Sequence, residues 1–135
     1  VMFMIAIFLA FSTGSSWGTF AILIPIVTAI FSGGGNMEMM VISISAVLAG
    51  AVCGDHVSPI SDTTIMSSAG AQCHHIDHVS TQMQYALVVA IVCVFGYLIA
   101  GFVQVWWIVL LISVAVLLTT LTIMRKYVNK KHLKK

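Results

Sequence analysis

The sequence predicts an all-α integral membrane protein, and its composition, its charge layout and its apolar runs all support this. Of the 135 residues, 60% are hydrophobic and only 7% are charged, whereas soluble domains carry about 25% charged residues. Apolar runs recur along the chain, and a membrane-spanning helix needs ~20 such residues. The composition excludes a soluble globular domain and a disordered chain.

The charges are separated along the chain. All six Lys and Arg residues lie within 125–135, and the first 124 residues hold four acids: Glu38, Asp55, Asp62 and Asp77. A buried acid therefore has no basic partner in this part of the chain and must be protonated, bind a cation or find a partner elsewhere. We interpret 1–124 as a transmembrane domain and 125–135 as a basic tail that places the C-terminus in the cytoplasm. This short tail does not indicate nucleic-acid binding.

Residues 1–31 form the first interrupted segment. Two apolar runs, Val1–Phe11 and Phe20–Phe31, flank a small, polar stretch at 12–19, and Pro25 is expected to kink the second run. Each run has about a dozen residues, or ~18 Å of helix, which is less than a ~30 Å hydrocarbon core. The segment is therefore either one helix broken in the middle or the two limbs of a re-entrant hairpin.

Residues 39–71 form a second interrupted segment. It follows a glycine-rich loop at 32–38 and is broken near Pro59, which lacks a backbone donor and restricts Ser58. The polar stretch 72–84 is predicted to be a loop or a surface helix.

Two uninterrupted spans complete the chain, at 85–101 and 105–124, with Trp106 and Trp107 at the membrane interface. Counting spans back from a cytoplasmic C-terminus places 72–84 in the cytoplasm and 32–38 outside. The protein is thus predicted to be a multi-pass protein of the cell membrane (the inner or plasma membrane), with the lipid bilayer as its first partner.

The strongest candidate site is the break at 54–64, which reads GDHVSPISDTT. An Asp at mid-bilayer costs about 2.5–3.5 kcal/mol, and a broken helix is tolerated where its free carbonyls line a cavity. Carboxylates, hydroxyls and carbonyls are hard oxygen ligands of the kind that bind Na⁺ in discontinuous transporter helices. The candidate ion ligands are Asp55, Ser58, Ser61, Asp62, Thr63 and Thr64. An interfacial loop with solvated acids is the alternative.

Among these residues, Asp62 is the preferred ion-binding carboxylate because the hydroxyls of Ser61, Thr63 and Thr64 flank it. Asp55 is second, and His56 is a candidate proton relay.

The stretch at 12–19 is a second candidate, with Thr13, Ser15 and Ser16 as ion ligands that could meet the first site. It also contains a G-x-S-x-G pattern, which in a hydrolase would make Ser16 a nucleophile but requires a preceding strand. A third interpretation is helix packing, since Gly14 with Gly18, and Gly50 with Gly54, form GxxxG patterns.

A cluster at 73–78 is a weaker candidate. His74 and His78 are spaced i, i+4, as metal ligands on a helix would be, although a polar juxtamembrane loop explains them equally. Cys53 and Cys93 lie in apolar runs and are expected to be small core residues, and no disulfide framework is indicated.

Residues 54–64 resemble the GDxxSPxSDTT signature of the NhaC family of Na⁺/H⁺ antiporters. The stretches HIDHV at 75–79, QMQYAL at 82–87 and TGSSWGTF at 13–20 are also similar to that family. The resemblance implies a fold of two inverted repeats, each with a re-entrant hairpin and a broken helix. It makes 1–31 the hairpin and 39–71 the broken helix of the second repeat, followed by two further transmembrane helices. The chain would then be the C-terminal portion of a longer transporter, and the N-terminal half would be its partner.

The function expected is secondary active transport that exchanges Na⁺ for H⁺, with no enzymatic activity and no cofactor beyond the transported ions. Desolvation raises the pKa of a carboxyl and a bound cation lowers it, so the two ions would compete for one site. The alternative is Na⁺-coupled exchange of organic acids such as malate and lactate, and an intramembrane serine hydrolase is more remote. A homodimer is compatible with the sequence.

Overall fold

The structure, a computed structural model, describes residues 1–34, 36–103 and 105–132, with only the backbone of Trp106 and of 127–132. The predicted interfacial side chain of Trp106, and the side chains of Lys130, Lys131, Lys134 and Lys135 in the tail, lie outside this description. The described ranges contain six helices and no strand. The helices are Met2–Thr13 (α1), Ser16–Phe31 (α2), Met37–Val57 (α3), Asp62–Gly70 (α4), His75–Val103 (α5) and Trp106–His132 (α6).

The all-α membrane fold is confirmed. Three helical segments are long and apolar enough to cross a bilayer: Met37–Val57, His75–Val103 and Trp107–Lys126. The helices α1 and α2 are also apolar, but each is shorter than such a span.

The helix α5 begins well before the apolar run from which a span was predicted. Residues 75–84, predicted to be a loop or a surface helix, form its first turns and continue directly into the span. No Gly or Pro lies between His75 and Phe95, so nothing in the sequence ends the helix before the apolar run starts. In the same way, α6 continues past Met124 through Arg125 and Lys126.

The core lies between α1, α2 and α3. The helix α1 runs parallel to α3, because Phe3 lies beside Gly50 and Ile7 lies beside Gly54. The helix α2 starts next to the end of α1 and returns to the loop that precedes α3, so α1 and α2 form a helical hairpin packed on α3. The buried apolar side chains of these helices form one cluster: Ala6, Ala10, Leu23, Val27, Val47 and Ala51.

The contact between α1 and α3 is unusually close, since two glycines allow the backbones to approach. A Cβ atom at Gly50 would collide with the carbonyl oxygen of Phe3, and one at Gly54 would collide with the carbonyl oxygen of Ile7. The pair Gly50 and Gly54 is thus a helix-packing face, one of the roles considered for it.

The helix α5 runs antiparallel to α3, because His75 at its start lies beside Pro59, just after α3, and Tyr97 near its end lies beside Ser45 within α3. Tyr97 Oη donates a 3.0 Å hydrogen bond to the carbonyl oxygen of Ser45, and the Tyr97 ring packs on Phe3 at 5.4 Å between centroids. Among the described residues, α6 packs only on α5, and its apolar side chains are mostly exposed. Such a surface suits the lipid bilayer.

Candidate functional site

The two interruptions of the chain are in contact. Gly14 ends α1 with a φ of 65°, and a Cβ atom there would lie 2.9 Å from Cγ1 of Ile60. Ser58 Oγ donates a 2.8 Å hydrogen bond to the carbonyl oxygen of Phe11, in the last turn of α1. The turn of the α1–α2 hairpin therefore lies against the segment 58–61, which joins α3 to α4.

The helix α3 ends at Val57 because Pro59 cannot donate a backbone hydrogen bond and forces Ser58 out of the helical region. Ser58 is extended, with φ −72° and ψ 127°, and Ser61 is extended in the same way before α4 begins. Thr64 Oγ1 donates a 3.1 Å hydrogen bond to the carbonyl oxygen of His56, which occupies one of the acceptors at the end of α3.

Asp55 is the buried carboxylate of this junction, with only 6% of its surface exposed. Ser61 Oγ donates to its Oδ1 over 2.7 Å, and Ser61 Oγ lies 2.8 Å from Thr63 Oγ1. Since Ser61 has one hydroxyl proton and gives it to the carboxylate, Thr63 is the donor in the second bond. Hydrogen bonds thus lead from the exposed Thr63 through the buried Ser61 to Asp55.

Burying an ionised carboxylate is costly unless its charge is compensated. Ser61 supplies one hydrogen bond to Asp55, but the first 124 residues contain no Lys or Arg. A bound proton or a bound cation can neutralise Asp55 without a Lys or Arg partner. One carboxylate and two hydroxyls, all hard oxygen donors, suit Na⁺.

Asp62 differs from Asp55 in its surroundings. It is exposed, and its Oδ1 accepts a 2.7 Å hydrogen bond from the backbone N–H of Thr63. Ser61 and Thr64, which flank it in sequence, donate to Asp55 and to the His56 carbonyl instead. The predicted hydroxyl groups do not surround the Asp62 carboxylate. The backbone turns from extended to helical here and directs neighbouring side chains to different sides.

His56, the predicted proton relay, is exposed. Its Nδ1 lies 3.1 Å from the carbonyl oxygen of Val52, one turn back in α3. Because a carbonyl only accepts, Nδ1 carries the proton in this bond. The ring is therefore tied to its own helix.

Thr13 and Ser15, two of the predicted ligands at 12–19, bond to the backbone of the hairpin helices. Thr13 Oγ1 donates to the carbonyl oxygen of Leu9 over 2.9 Å, and Ser15 Oγ accepts from the backbone N–H of Gly18 over 3.2 Å as the N-cap of α2. Ser16 is the half-buried first residue of α2. Within this stretch, Gly14 lies against Ile60 of the break, next to the end of α1.

The same stretch gives little support to its two alternative interpretations. The G-x-S-x-G pattern lies between two helices, whereas a nucleophile elbow joins a strand to a helix. At Gly18, an added Cβ would meet only the N-cap side chain Ser15, with Oγ at 3.6 Å. Gly14 and Gly18 are therefore not a helix-packing face like Gly50 and Gly54.

The sequence does not single out His75, at the start of α5, as a residue of the site. Its Nε2 lies 2.8 Å from the carbonyl oxygen of Pro59, and its Nδ1 lies 2.9 Å from Ser68 Oγ in α4. Its signals in the sequence are its place in the stretch 75–79 that resembles the antiporter family and in the cluster at 73–78.

The neighbouring His74 is exposed and His78 is half-buried. In residues 1–34, 36–103 and 105–132, no three His, Cys, Asp or Glu side chains come together as a metal site would require.

Comparison with known proteins gives one family match and two relatives. The Na⁺/H⁺ antiporter family matches residues 1–102, which include α1 to α4 and all but the last residue of α5. An uncharacterized protein of Haemophilus influenzae is 53% identical over 102 residues, covering 76% of this chain and 20% of that protein. The malate-2H⁺/Na⁺-lactate antiporter of Bacillus subtilis is 30% identical over 91 residues, covering 67% of this chain and 19% of that protein. The chain thus spans about a fifth of the length of these curated relatives, and no solved structure matches it significantly.

Proposed function

Because the chain belongs to the Na⁺/H⁺ antiporter family, we propose that it forms part of a secondary transporter that exchanges Na⁺ for H⁺, with Asp55 as the carboxylate that holds each ion in turn. The observation that carries this proposal is the burial of Asp55 beside Ser61, without a Lys or Arg in the first 124 residues.

In the proposed mechanism, H⁺ and Na⁺ compete for one site. A proton removes the charge of Asp55, and Na⁺ compensates it with help from the hydroxyl oxygens of Ser61 and Thr63. Because only one ion is held at a time, each can leave on the side of the membrane where the other is taken up. Ser58 and Thr64 donate to carbonyls of α1 and α3, so we assign them to holding the break.

Asp62 has a second role in the proposal. It is exposed at the start of α4, next to Thr63, the outer end of the hydrogen-bonded chain that leads to Asp55. An exposed carboxylate at this position attracts cations toward the buried one. We therefore expect Asp62 to affect Na⁺ uptake less strongly than Asp55.

The transporting unit is proposed to be longer than this chain, since the matched relatives are about five times the length of the aligned segment. We place it in the cell membrane with a cytoplasmic C-terminus, on the positive-inside rule.

The test uses the full-length transporter that contains this chain, reconstituted in vesicles with a ΔpH-sensitive dye. Addition of Na⁺ should release the quenched dye in the wild type, and choline should not. Asp55→Asn keeps the shape of the side chain but removes its titratable group, so Na⁺-dependent dequenching should be lost at normal protein levels. Asp62→Asn should retain part of it, and Asp77→Asn in the first turn of α5 should retain most of it.

Two results would contradict the assignment. Normal exchange by Asp55→Asn with loss in Asp62→Asn would move the carboxylate role to Asp62. Normal exchange by both variants would reject a carboxylate mechanism in this segment.

A second candidate is Na⁺-coupled exchange of organic acids, because the Bacillus subtilis relative is named a malate-2H⁺/Na⁺-lactate antiporter. An organic anion is best held by a basic side chain or a helix N-terminus, and the first 124 residues offer no Lys or Arg. The same vesicles discriminate the two functions. Dequenching that needs malate or lactate, in addition to Na⁺, would favour the organic-acid exchanger.

A further inference from the structure

We propose that His75 is a positioning residue of the ion site, which acts by holding the carbonyl oxygen of Pro59 and thereby fixing the segment 58–61. This inference rests on the proposed function only for its effect on Na⁺. The structural part of the proposal is that His75 braces the break from α5, and it depends only on the two hydrogen bonds of the imidazole ring.

Both ring nitrogens of His75 are used, and they join different elements. The carbonyl oxygen of Pro59 can only accept, so Nε2 carries a proton and donates over 2.8 Å. Nδ1 faces Ser68 Oγ at 2.9 Å. Because the ring is rigid and half-buried, it fixes the distance between the break and α4 from its position at the start of α5.

The Pro59 carbonyl needs such a donor because its helical partner is absent. In a continuous helix it would accept from the backbone N–H of Thr63, four residues on. That N–H is instead bonded to the carboxylate of Asp62. His75 therefore takes the place of the missing helical bond and stabilises the broken conformation.

The position of Pro59 matters for the ion site because Ser61 is only two residues further on. Ser61 Oγ reaches Asp55 at 2.7 Å from the end of this short segment, whose other end is held by Ser58 on the carbonyl of Phe11. If the Pro59 carbonyl is released, the segment loses its attachment to α5, and Ser61 is held less firmly against Asp55.

Two conservative variants separate the two bonds of the ring. In His75→Gln the side-chain nitrogen lies near the position of Nε2, so the bond to Pro59 can be kept. In His75→Asn it lies near the position of Nδ1, so the bond to Ser68 can be kept and the bond to Pro59 is lost. His74→Gln, at the exposed neighbouring histidine, is the matched control.

The first measurement is Na⁺-dependent proton exchange in vesicles that contain the full-length transporter. His75→Asn should raise the apparent KM for Na⁺ roughly tenfold, the loss expected for one hydrogen bond, with a smaller change in maximal rate. His75→Gln and His74→Gln should stay close to wild type. A wild-type KM in His75→Asn, or equal losses in the Asn and Gln variants, would overturn the proposal.

The second measurement does not depend on transport. Ile60 lies in the break and is 59% exposed, so Ile60→Cys can be labelled with a maleimide after the three native cysteines are replaced by alanine. In this background, His75→Asn should change the labelling rate several-fold and His75→Gln should not. An unchanged rate in His75→Asn would refute the brace even if the ion proves not to be Na⁺. If His75→Asn changes the labelling rate as expected, but neither the wild type nor any variant shows Na⁺-dependent exchange, the proposed function is refuted and the brace stands.

Discussion

Asp55 and Ser61 face each other across the break, six residues apart, and their 2.7 Å contact is among the shortest polar contacts at the site. A hydrogen bond to a charged group contributes about 1.5–3 kcal/mol. The Ser61 hydroxyl is also one of the few oxygens near Asp55 that a cation can use. Removing it should therefore weaken Na⁺ binding without changing the charge of the site.

We expect Ser61→Ala to raise the apparent KM for Na⁺ at least tenfold in the vesicle assay, which corresponds to the lower end of that energy range. Ser67→Ala is the matched control, since the Ser67 hydroxyl donates within α4 to the carbonyl of Thr63 and is exposed. Ser67→Ala should remain close to wild type. Equal KM values in the two variants would show that Ser61 is not a ligand.

At the scale of single residues, the sequence predicts which residue types form the site better than it predicts which of them bond to each other. Pro59 is visible in the sequence, and the break follows from its chemistry. The partner of Asp55 is not visible, because the backbone angles of Ser58 and Ser61 decide where each side chain points. The preference for Asp62 rests on its neighbours along the chain, which presumes a regular backbone at a place where the backbone is irregular.

At the scale of elements, the close contact of α1 with α3 depends on the absence of two side chains. Adding a Cβ at Gly54 would force it against the backbone of Ile7 and to within 3.0 Å of the Ala10 side chain. Backbone atoms cannot turn aside as a flexible side chain can, so the two helices would have to separate.

Gly54→Ala should therefore lower the free energy of unfolding by about 1–3 kcal/mol, as overpacking of a close contact does. Gly18→Ala is the control, because the space at Gly18 admits a Cβ at ordinary contact distance and Ala favours a helix by ~1 kcal/mol over Gly. Thermal unfolding in detergent, followed by the loss of the monodisperse protein, compares the stability of the two variants. A Gly54→Ala variant as stable as Gly18→Ala would contradict the packing.

The elements themselves differ in how far the sequence predicts them. The apolar runs indicate the helices, and Gly14 and Pro59 mark two of their ends. The start of α5 is not visible, because polarity at 75–84 resembles that of a loop although each residue there is compatible with a helix. The GxxxG pattern of Gly50 and Gly54 indicates a helix-packing face. It does not predict that α1 is the partner or that the two helices are parallel, because these depend on tertiary contacts.

At the scale of the whole molecule, the path of the chain predicts which loops share a side of the membrane. From the spans α3, α5 and α6 and the basic residues at 125–135, we predict that the loop before α3 lies outside and that the loop before α5 lies in the cytoplasm. Asn36 lies in the first loop and the native, exposed Cys73 lies in the second.

In intact cells, an impermeant maleimide should label Asn36→Cys in a Cys73→Ser background. It should reach the native Cys73 only after the cells are opened. Labelling of Asn36→Cys solely from the cytoplasmic side would reverse the topology. A hairpin in 1–31 further predicts that cysteines at Val1 and Phe31 are labelled from the same side, whereas a single broken span would separate them.

The hydrogen-bonded chain of Thr63, Ser61 and Asp55 has a direction. While Asp55 is ionised, each hydroxyl proton points inward, toward the carboxylate. A proton that binds at Oδ1 turns Asp55 from acceptor into donor, so Ser61 must rotate its proton toward Thr63, and Thr63 must turn its own away. Protonation of the buried Asp55 would then change the orientation of the exposed Thr63 hydroxyl, through rotation about two C–O bonds and without movement of the backbone.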